Sequence, residues 1–151
     1  MSPEELETYV HLIEPSAEMV MGKQFPEVMV AEDKLHHIAR ELKENPSTAF
    51  DYLVCLTGAD FDDHMKVIYH LESSVHRNVL VLKTRTLSRT NPVLPTVCDI
   101  WRTAEFHERE VFDLLGIRFK GHPDMRRLFL SDEFGFPLRK DYVDEVRIVD
   151  R

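Results

Sequence analysis

The sequence predicts an α+β domain: a small, mainly antiparallel sheet with helices packed on it, then a charged helix and an extended C-terminal tail. Three observations carry that class. Apolar residues recur at helical spacing in two early stretches and again around residue 110. Three stretches between residues 50 and 85 are rich in β-branched and aromatic residues and are joined by short polar turns. After residue 117 regular periodicity ends. The expected division is therefore a scaffold domain over residues 1–117 and a tail over 118–151.

Ser2-Pro3-Glu4-Glu5 opens the first helix, with a Ser cap, Pro in the first turn and Glu5 placed to close a capping box. Leu6, Val10 and Ile13 give it one apolar edge, and Pro15 interrupts it. Residues 25–30 read as a short extended run. Residues 33–44 place Leu35, Ile38, Ala39 and Leu42 on one helical face, and Asn45-Pro46 stops that helix. His36 and His37 are neighbours on it, point about 100° apart and read as solvated. Strands follow at residues 50–57, 65–71 and 78–85, with a turn at residues 58–63. Connections this short imply antiparallel neighbours. Asp60, Asp62 and Asp63 lack the alternation and distal Glu of a calcium loop, so they read as a solvated turn. Residues 86–96 form a Pro-bent loop whose Leu87, Val93 and Leu94 are expected to lie against something.

Composition excludes several functions. Apolar residues make up 43% and charged residues 30%, as in an ordinary globular chain. A net charge of −8 opposes nucleic-acid binding and adhesion to anionic membranes. Residues 1–117 hold 11 basic and 20 acidic side chains, and residues 118–151 hold 8 and 7, so the tail is a different surface from the body. No apolar run approaches the roughly 20 residues of a membrane span, and no leader pattern opens the chain, so neither direct insertion nor secretion is expected. Cys55 and Cys98 lack metal-site spacing and read as buried thiols in a reducing compartment. No glycine-rich phosphate loop is present.

The densest chemistry lies in residues 104–116. On a helical wheel Trp101, Ala104, Val111, Phe112 and Leu115 share one side, and Gly116 supplies a stop. Glu108 falls in the middle of that side and must be paired or hydrogen-bonded there. Arg126 and Arg127 are natural partners for carboxylates such as Glu108, through bidentate bonding, with the choice of Arg, Glu and chain left open. Glu105, Arg109 and Asp113, at i+4 steps, form an expected surface ladder. His107 and Glu110 could supply two metal ligands, with His122 and Asp124 as the second pair.

Glu108-Arg109-Glu110, Asp113-Leu114-Leu115-Gly116-Ile117, His122-Pro123-Asp124 and Arg126-Arg127-Leu128 resemble the signature of the 30 kDa subunit, designated C, of complex I, the proton-pumping NADH:quinone oxidoreductase. Phe50-Asp51, Tyr69-His70-Leu71, Ile100-Trp101 and residues 135–142 are similar too, so the resemblance spans roughly residues 25–142. Phe129, Phe134 and Val143 depart from the pattern.

The resemblance implies a structural component with no catalytic residue, metal or cofactor of its own. FMN, iron–sulfur clusters and quinone would sit on other subunits. It implies a peripheral position on the cytoplasmic side of the bacterial inner membrane, where the chain, next to iron–sulfur subunits, braces the quinone-site subunit, designated D. The tail would lie along that partner and be weakly ordered without it. Glu108, Arg109, Glu110, His122, Arg126, Arg127, Arg139 and Lys140 are the expected interface or tail-anchoring residues. Two alternatives stay open: the related subunit of a membrane-bound hydrogenase or another complex I-like machine, and a stand-alone metal enzyme built on His107, Glu110, His122 and Asp124.

Overall fold

Residues 1–144 are described by the computed structural model; the end of the expected tail, residues 145–151, lies outside them. The elements run α1 (Pro3–Ile13), β1 (Glu18–Met21), β2 (Pro26–Val30), α2 (Leu35–Glu44), β3 (Tyr52–Asp60), β4 (Met65–Glu72), β5 (Val79–Thr86), β6 (Val93–Pro95), α3 (Ala104–Leu115) and β7 (Arg118–Lys120).

Five strands form one sheet in the order β1-β2-β5-β4-β3. Its pairs are antiparallel except β2 with β5. That parallel pair follows from α2, which carries the chain from β2 to the far edge before β3, β4 and β5 fold back as a meander. The sheet is mainly antiparallel, as residue spacing predicts, but spacing gives no sign of the parallel contact or of the short strand β1.

The capping box of α1 is present: Glu5 N–H donates to Ser2 Oγ (3.2 Å) and Ser2 N–H donates to the Glu5 carboxylate (2.7 Å). Leu35, Ile38, Ala39 and Leu42 of α2 are all fully buried. They meet Val67, Tyr69 and Leu71 of β4 and Leu80 and Leu82 of β5 in one core cluster, which also takes Ala104, Val111 and Leu115 from α3. The three helices therefore share one face of the sheet. Burying each large aliphatic side chain there contributes about 1.5–3 kcal/mol.

Gly58 is expected in a turn, but β3 continues to Asp60 and the bend falls at Phe61–His64, where Phe61 N–H donates to the His64 carbonyl (2.9 Å). Gly58 serves instead to let α3 close. A Cβ there would lie 2.5 Å from Leu115 Cδ1 and 2.9 Å from Val111 Cγ1. The 86–96 loop does lie against something: β6 pairs in parallel with β7, Leu94 opposite Phe119, and both side chains are buried. Residues 118–120 are thus a strand of the folded body. Leu87 stays exposed. Both thiols are half-buried rather than buried, and neither is in a disulfide. His36 is not simply solvated, for it shares Asp99 with Arg40 (2.9 and 3.0 Å).

Candidate functional site

Helix α3 works on two sides. Towards the interior, Glu108 is fully buried. Thr96 Oγ1 donates to its Oε2 (2.6 Å), Val97 N–H to its Oε1 (2.8 Å) and the Cys98 thiol to its Oε2 (3.2 Å). Burial raises the Glu108 carboxyl above its ordinary pKa, against the pull of these three donors and of His122. Burial likewise pushes the Cys98 thiol up to about 12, so it stays protonated and donates.

The expected pairing of Glu108 with Arg126 or Arg127 is not formed. Arg126 turns outward to Asp124 (2.8 Å), and Arg127 goes to Asp113 (3.2 Å). The physical reason is that a folded-over loop supplies two side-chain donors and one amide, which balance a buried carboxylate without the cost of burying a guanidinium beside it.

His122 closes this pocket. Its Nδ1 accepts from Asp124 N–H (2.9 Å), which leaves the proton on Nε2, and Nε2 donates to the Glu105 carbonyl (2.9 Å). Nε2 lies 3.9 Å from Glu108 Oε2. Ligand atoms of Cys98, Glu108 and His122 all fall within 4.8 Å of one another, but each of these atoms is already held by a hydrogen bond. The four residues that could have formed a metal centre, His107, Glu110, His122 and Asp124, do not form such a group among the described residues.

On its other side α3 holds the tail. The expected surface ladder is here a buried clamp, because residues 126–130 lie over it: Arg109 and Asp113 are both buried. Arg109 Nη2 donates to the Arg127 carbonyl (2.7 Å) and Nε to that of Arg126 (3.3 Å). Asp113 Oδ2 accepts from the amides of Phe129 (2.7 Å) and Leu130 (3.1 Å). Burial works to raise the Asp113 carboxyl, but those amides and Arg127 outweigh it and hold the group below its ordinary pKa. Arg127 continues to the carbonyls of Phe134 and Gly135 and stacks 4.7 Å above the Phe136 ring.

The C-terminal end of α3 is closed by the same segment. A helix leaves its last four carbonyls without internal partners. Gly116, in the left-handed region at φ 76°, donates its N–H to the Phe112 carbonyl (2.8 Å). Arg127 Nη1 donates to that of Asp113 (2.6 Å), Leu138 N–H to that of Leu114 (3.0 Å) and Arg139 Nε to that of Leu115 (2.6 Å). Two cations at a helix C-terminus also oppose its dipole favourably. Lys140 finishes the clamp: its N–H donates to Asp60 Oδ2 (2.9 Å) and its Nζ reaches Asp62 (3.3 Å).

Seven of the eight expected residues therefore have partners within this chain: Glu108, Arg109, His122, Arg126, Arg127, Arg139 and Lys140. Glu110 has none among the described residues; it borders a small cavity of about 190 Å³ with Gly58, Leu114 and Leu138. The tail expected to lie on a partner folds back, over residues 122–140, on its own domain. Thr96, Cys98 and Asp60 act as anchors that no sequence pattern marks. Asp113, at i+4 from Arg109, is expected at the surface and is buried instead.

Fold and site together define an α+β module that clamps its own tail. It matches a chain of the membrane-bound sulfane sulfur reductase, an archaeal respiratory membrane complex, at a TM-score of 0.80 and 28% identity, covering 95% of this chain and 86% of that one. It also matches the trypsin-resistant fragment (1–134) of Nqo5 at a TM-score of 0.69 and 25% identity, covering 82% and 99%. Residues 28–146 match the family described as respiratory-chain NADH dehydrogenase, 30 Kd subunit, and the chain belongs to that family.

Among its relatives, the C/D subunit of NADH-quinone oxidoreductase from Phocaeicola vulgatus is 50% identical over 76% of this chain and 22% of its own length. The C subunit from Chloroherpeton thalassium is 43% identical over 76% and 49%, and the C subunit from Moorella thermoacetica 37% identical over 85% and 86%. The chain thus spans between about a fifth and a half of the length of the first two. Among the described residues no helix is long and apolar enough to cross a membrane.

Proposed function

We propose that this chain is the structural subunit that braces the quinone-site subunit in the hydrophilic arm of an NADH:quinone oxidoreductase. In that assembly electrons pass from NADH through FMN and iron–sulfur clusters to quinone, coupled to proton translocation, and those groups are held by other subunits. The chain contributes position rather than chemistry, attached peripherally on the cytoplasmic side of the bacterial inner membrane. The observation that carries the reading is the C/D name of the relative from Phocaeicola vulgatus, in which the C and D subunits are joined in one protein. The clamp supports it physically: a tail pinned at α3, Asp60 and Asp62 gives a partner one fixed surface.

The test is affinity purification of the tagged chain from the native membrane fraction. The quinone-site and iron–sulfur subunits should co-purify, and the isolated chain should neither oxidise NADH nor reduce quinone. Turnover by the chain alone, or its recovery without the quinone-site subunit, overturns the reading. The archaeal sulfane sulfur reductase, alike over 95% of this chain, favours a second reading: a complex I-like machine with another electron donor. NADH oxidation by the purified assembly separates the two.

A further inference from the structure

The sheet face turned away from the helices carries a thiol paired with an imidazole. Strand β4 alternates regularly: Tyr69 and Leu71 are buried towards the helices, and His70 between them is half-buried on the open face. In β3 a register shift between Leu53 and Cys55 interrupts the same alternation. Leu53 stands opposite Leu71 and Leu56 opposite Tyr69, all four buried, and the extra residue, Val54, leaves Cys55 opposite His70. A bulge re-aims the side chains that follow it. Without this one Cys55 would face the core. With it, Cys55 Sγ lies 3.3 Å from His70 Nδ1.

One proton is shared by that pair, on sulfur or on Nδ1, and among the described residues Nε2 of the ring has no hydrogen bond. Cys98 is the contrast. It packs on the helix side of the sheet, its thiol donates to Glu108, and burial pushes it up to about 12. A thiol is a nucleophile only once its proton is taken. Cys55 has a base in place for that, whereas Cys98 has a buried carboxylate that opposes its ionisation.

His70 also lines a groove of about 540 Å³ with Phe25, Ile68, Val81, Lys23 and Lys83. Glu27 neutralises Lys83 (2.5 Å), while Lys23 is exposed and has no ion pair among the described residues. The other charged group beside His70 on this face is Glu72, two residues on in β4. The groove therefore offers an apolar floor and one uncommitted cation.

We propose that Cys55, activated by His70, is a thiol-modification site at which a low-molecular-weight disulfide bearing carboxylates forms a mixed disulfide. The Cys55 sulfur attacks one sulfur of the reagent, the reagent's S–S bond breaks, and its second half leaves as a thiolate. His70 Nδ1 takes the Cys55 proton and passes it to that thiolate. One disulfide is consumed and one is formed, so no other oxidant enters. Lys23 meets a carboxylate of the half that stays in the groove. The chain has two cysteines, and the second lies on the helix side of the sheet, so the bond persists until an external thiol reverses it.

The experiment incubates the full chain with glutathione disulfide at about pH 7, follows the intact mass, and assigns the site by peptide mapping. Wild type and Cys98→Ser should gain one glutathionyl group on Cys55 at the same rate, and Cys55→Ser none. His70→Asn should slow the reaction about tenfold, and its rate should approach that of wild type at about pH 9.5, where a thiol ionises unaided. Lys23→Glu should slow the reaction with glutathione disulfide and leave alkylation by uncharged iodoacetamide unchanged. Thermal midpoints show that each variant is folded, and mapping of the wild-type chain reads the site without any variant.

Modification at Cys98 instead of Cys55, or at neither, overturns the site. A His70→Asn rate equal to wild type, or slowed by the same factor at both pH values, overturns activation by His70. An equal effect of Lys23→Glu on both reagents overturns the role of the groove.

Discussion

Arg127 reaches Asp113 by two routes, donating to its carboxylate (3.2 Å) and to its main-chain carbonyl (2.6 Å). One side chain thereby neutralises a buried acid and caps a helix end. Removing either partner has unequal effects. Without Arg127, the Asp113 carboxylate keeps the Phe129 and Leu130 amides; without the Asp113 carboxylate, those two amides lose their acceptor, while Arg127 keeps the main-chain carbonyls of residues 113, 134 and 135. Asp113→Ala should therefore cost about 3 kcal/mol in chemical denaturation and Arg127→Ala less. The double variant should fall short of the sum by at least ~1 kcal/mol. Additive losses would show that the two do not act as a unit. Glu108→Ala with Arg126→Ala should be additive, since each has other partners.

Hydrogen exchange tests the clamp directly. The amides of Phe129, Leu130, Leu138 and Lys140 each have an acceptor in this chain. They should be protected in the isolated protein and should lose that protection in Asp113→Ala, while β4 and β5 keep theirs. Rapid exchange at those four amides in the wild-type chain would mean that the tail is ordered only by a partner.

The two buried acids of α3 give pH effects of opposite sign. Asp113 is held below the ordinary carboxylate pKa, so its contribution is present above about pH 4, the unfolded value, and is lost as pH falls through the folded pKa. Glu108 is held above its ordinary value, so its contribution is fully present below about pH 4 and is lost as pH rises through the folded pKa. The stability advantage of wild type over Asp113→Asn should shrink on acidification. The advantage over Glu108→Gln should shrink as pH rises. Thermal midpoints across pH 3–8 check both, and slopes of the same sign would contradict the assignment.

Gly116→Ala should cost more than the ~1 kcal/mol of placing Ala at a left-handed position. A Cβ at Gly116 lies 2.7 Å from the Phe136 ring and from Arg139 Nη2. Stability should fall and the Arg139 cap on α3 should loosen, seen as faster exchange at the Leu138 amide. A loss no larger than the backbone cost would place the tail further from α3 than described.

Much of the fold can be read from residue spacing, because each of those elements has a local signature. Ser2 and Glu5 announce a cap, Leu35 to Leu42 a helix face, and Met65 to Leu71 an alternating strand. What escapes is non-local. β6 and β7 are three residues each and gain their identity only from one another. Gly58 carries the same letter whether it turns a chain or admits a helix. At the site, the wheel finds a carboxylate aimed inward at Glu108 but can nominate only arginines as partners. Charges are visible in a sequence, whereas the amide of Val97 or the carbonyl of Leu115 is not. That asymmetry produces the error over Arg126 and leaves Asp113 on the surface.

The capping of α3 by residues that follow it has a consequence for biosynthesis. A ribosome releases α3 before residues 127, 138 and 139, so for a time the helix has a raw end and Asp113 has neither guanidinium nor tail amides. A chain stopped short there would keep its sheet yet lack the clamp. The clamp is therefore the last part of the described fold that synthesis can complete.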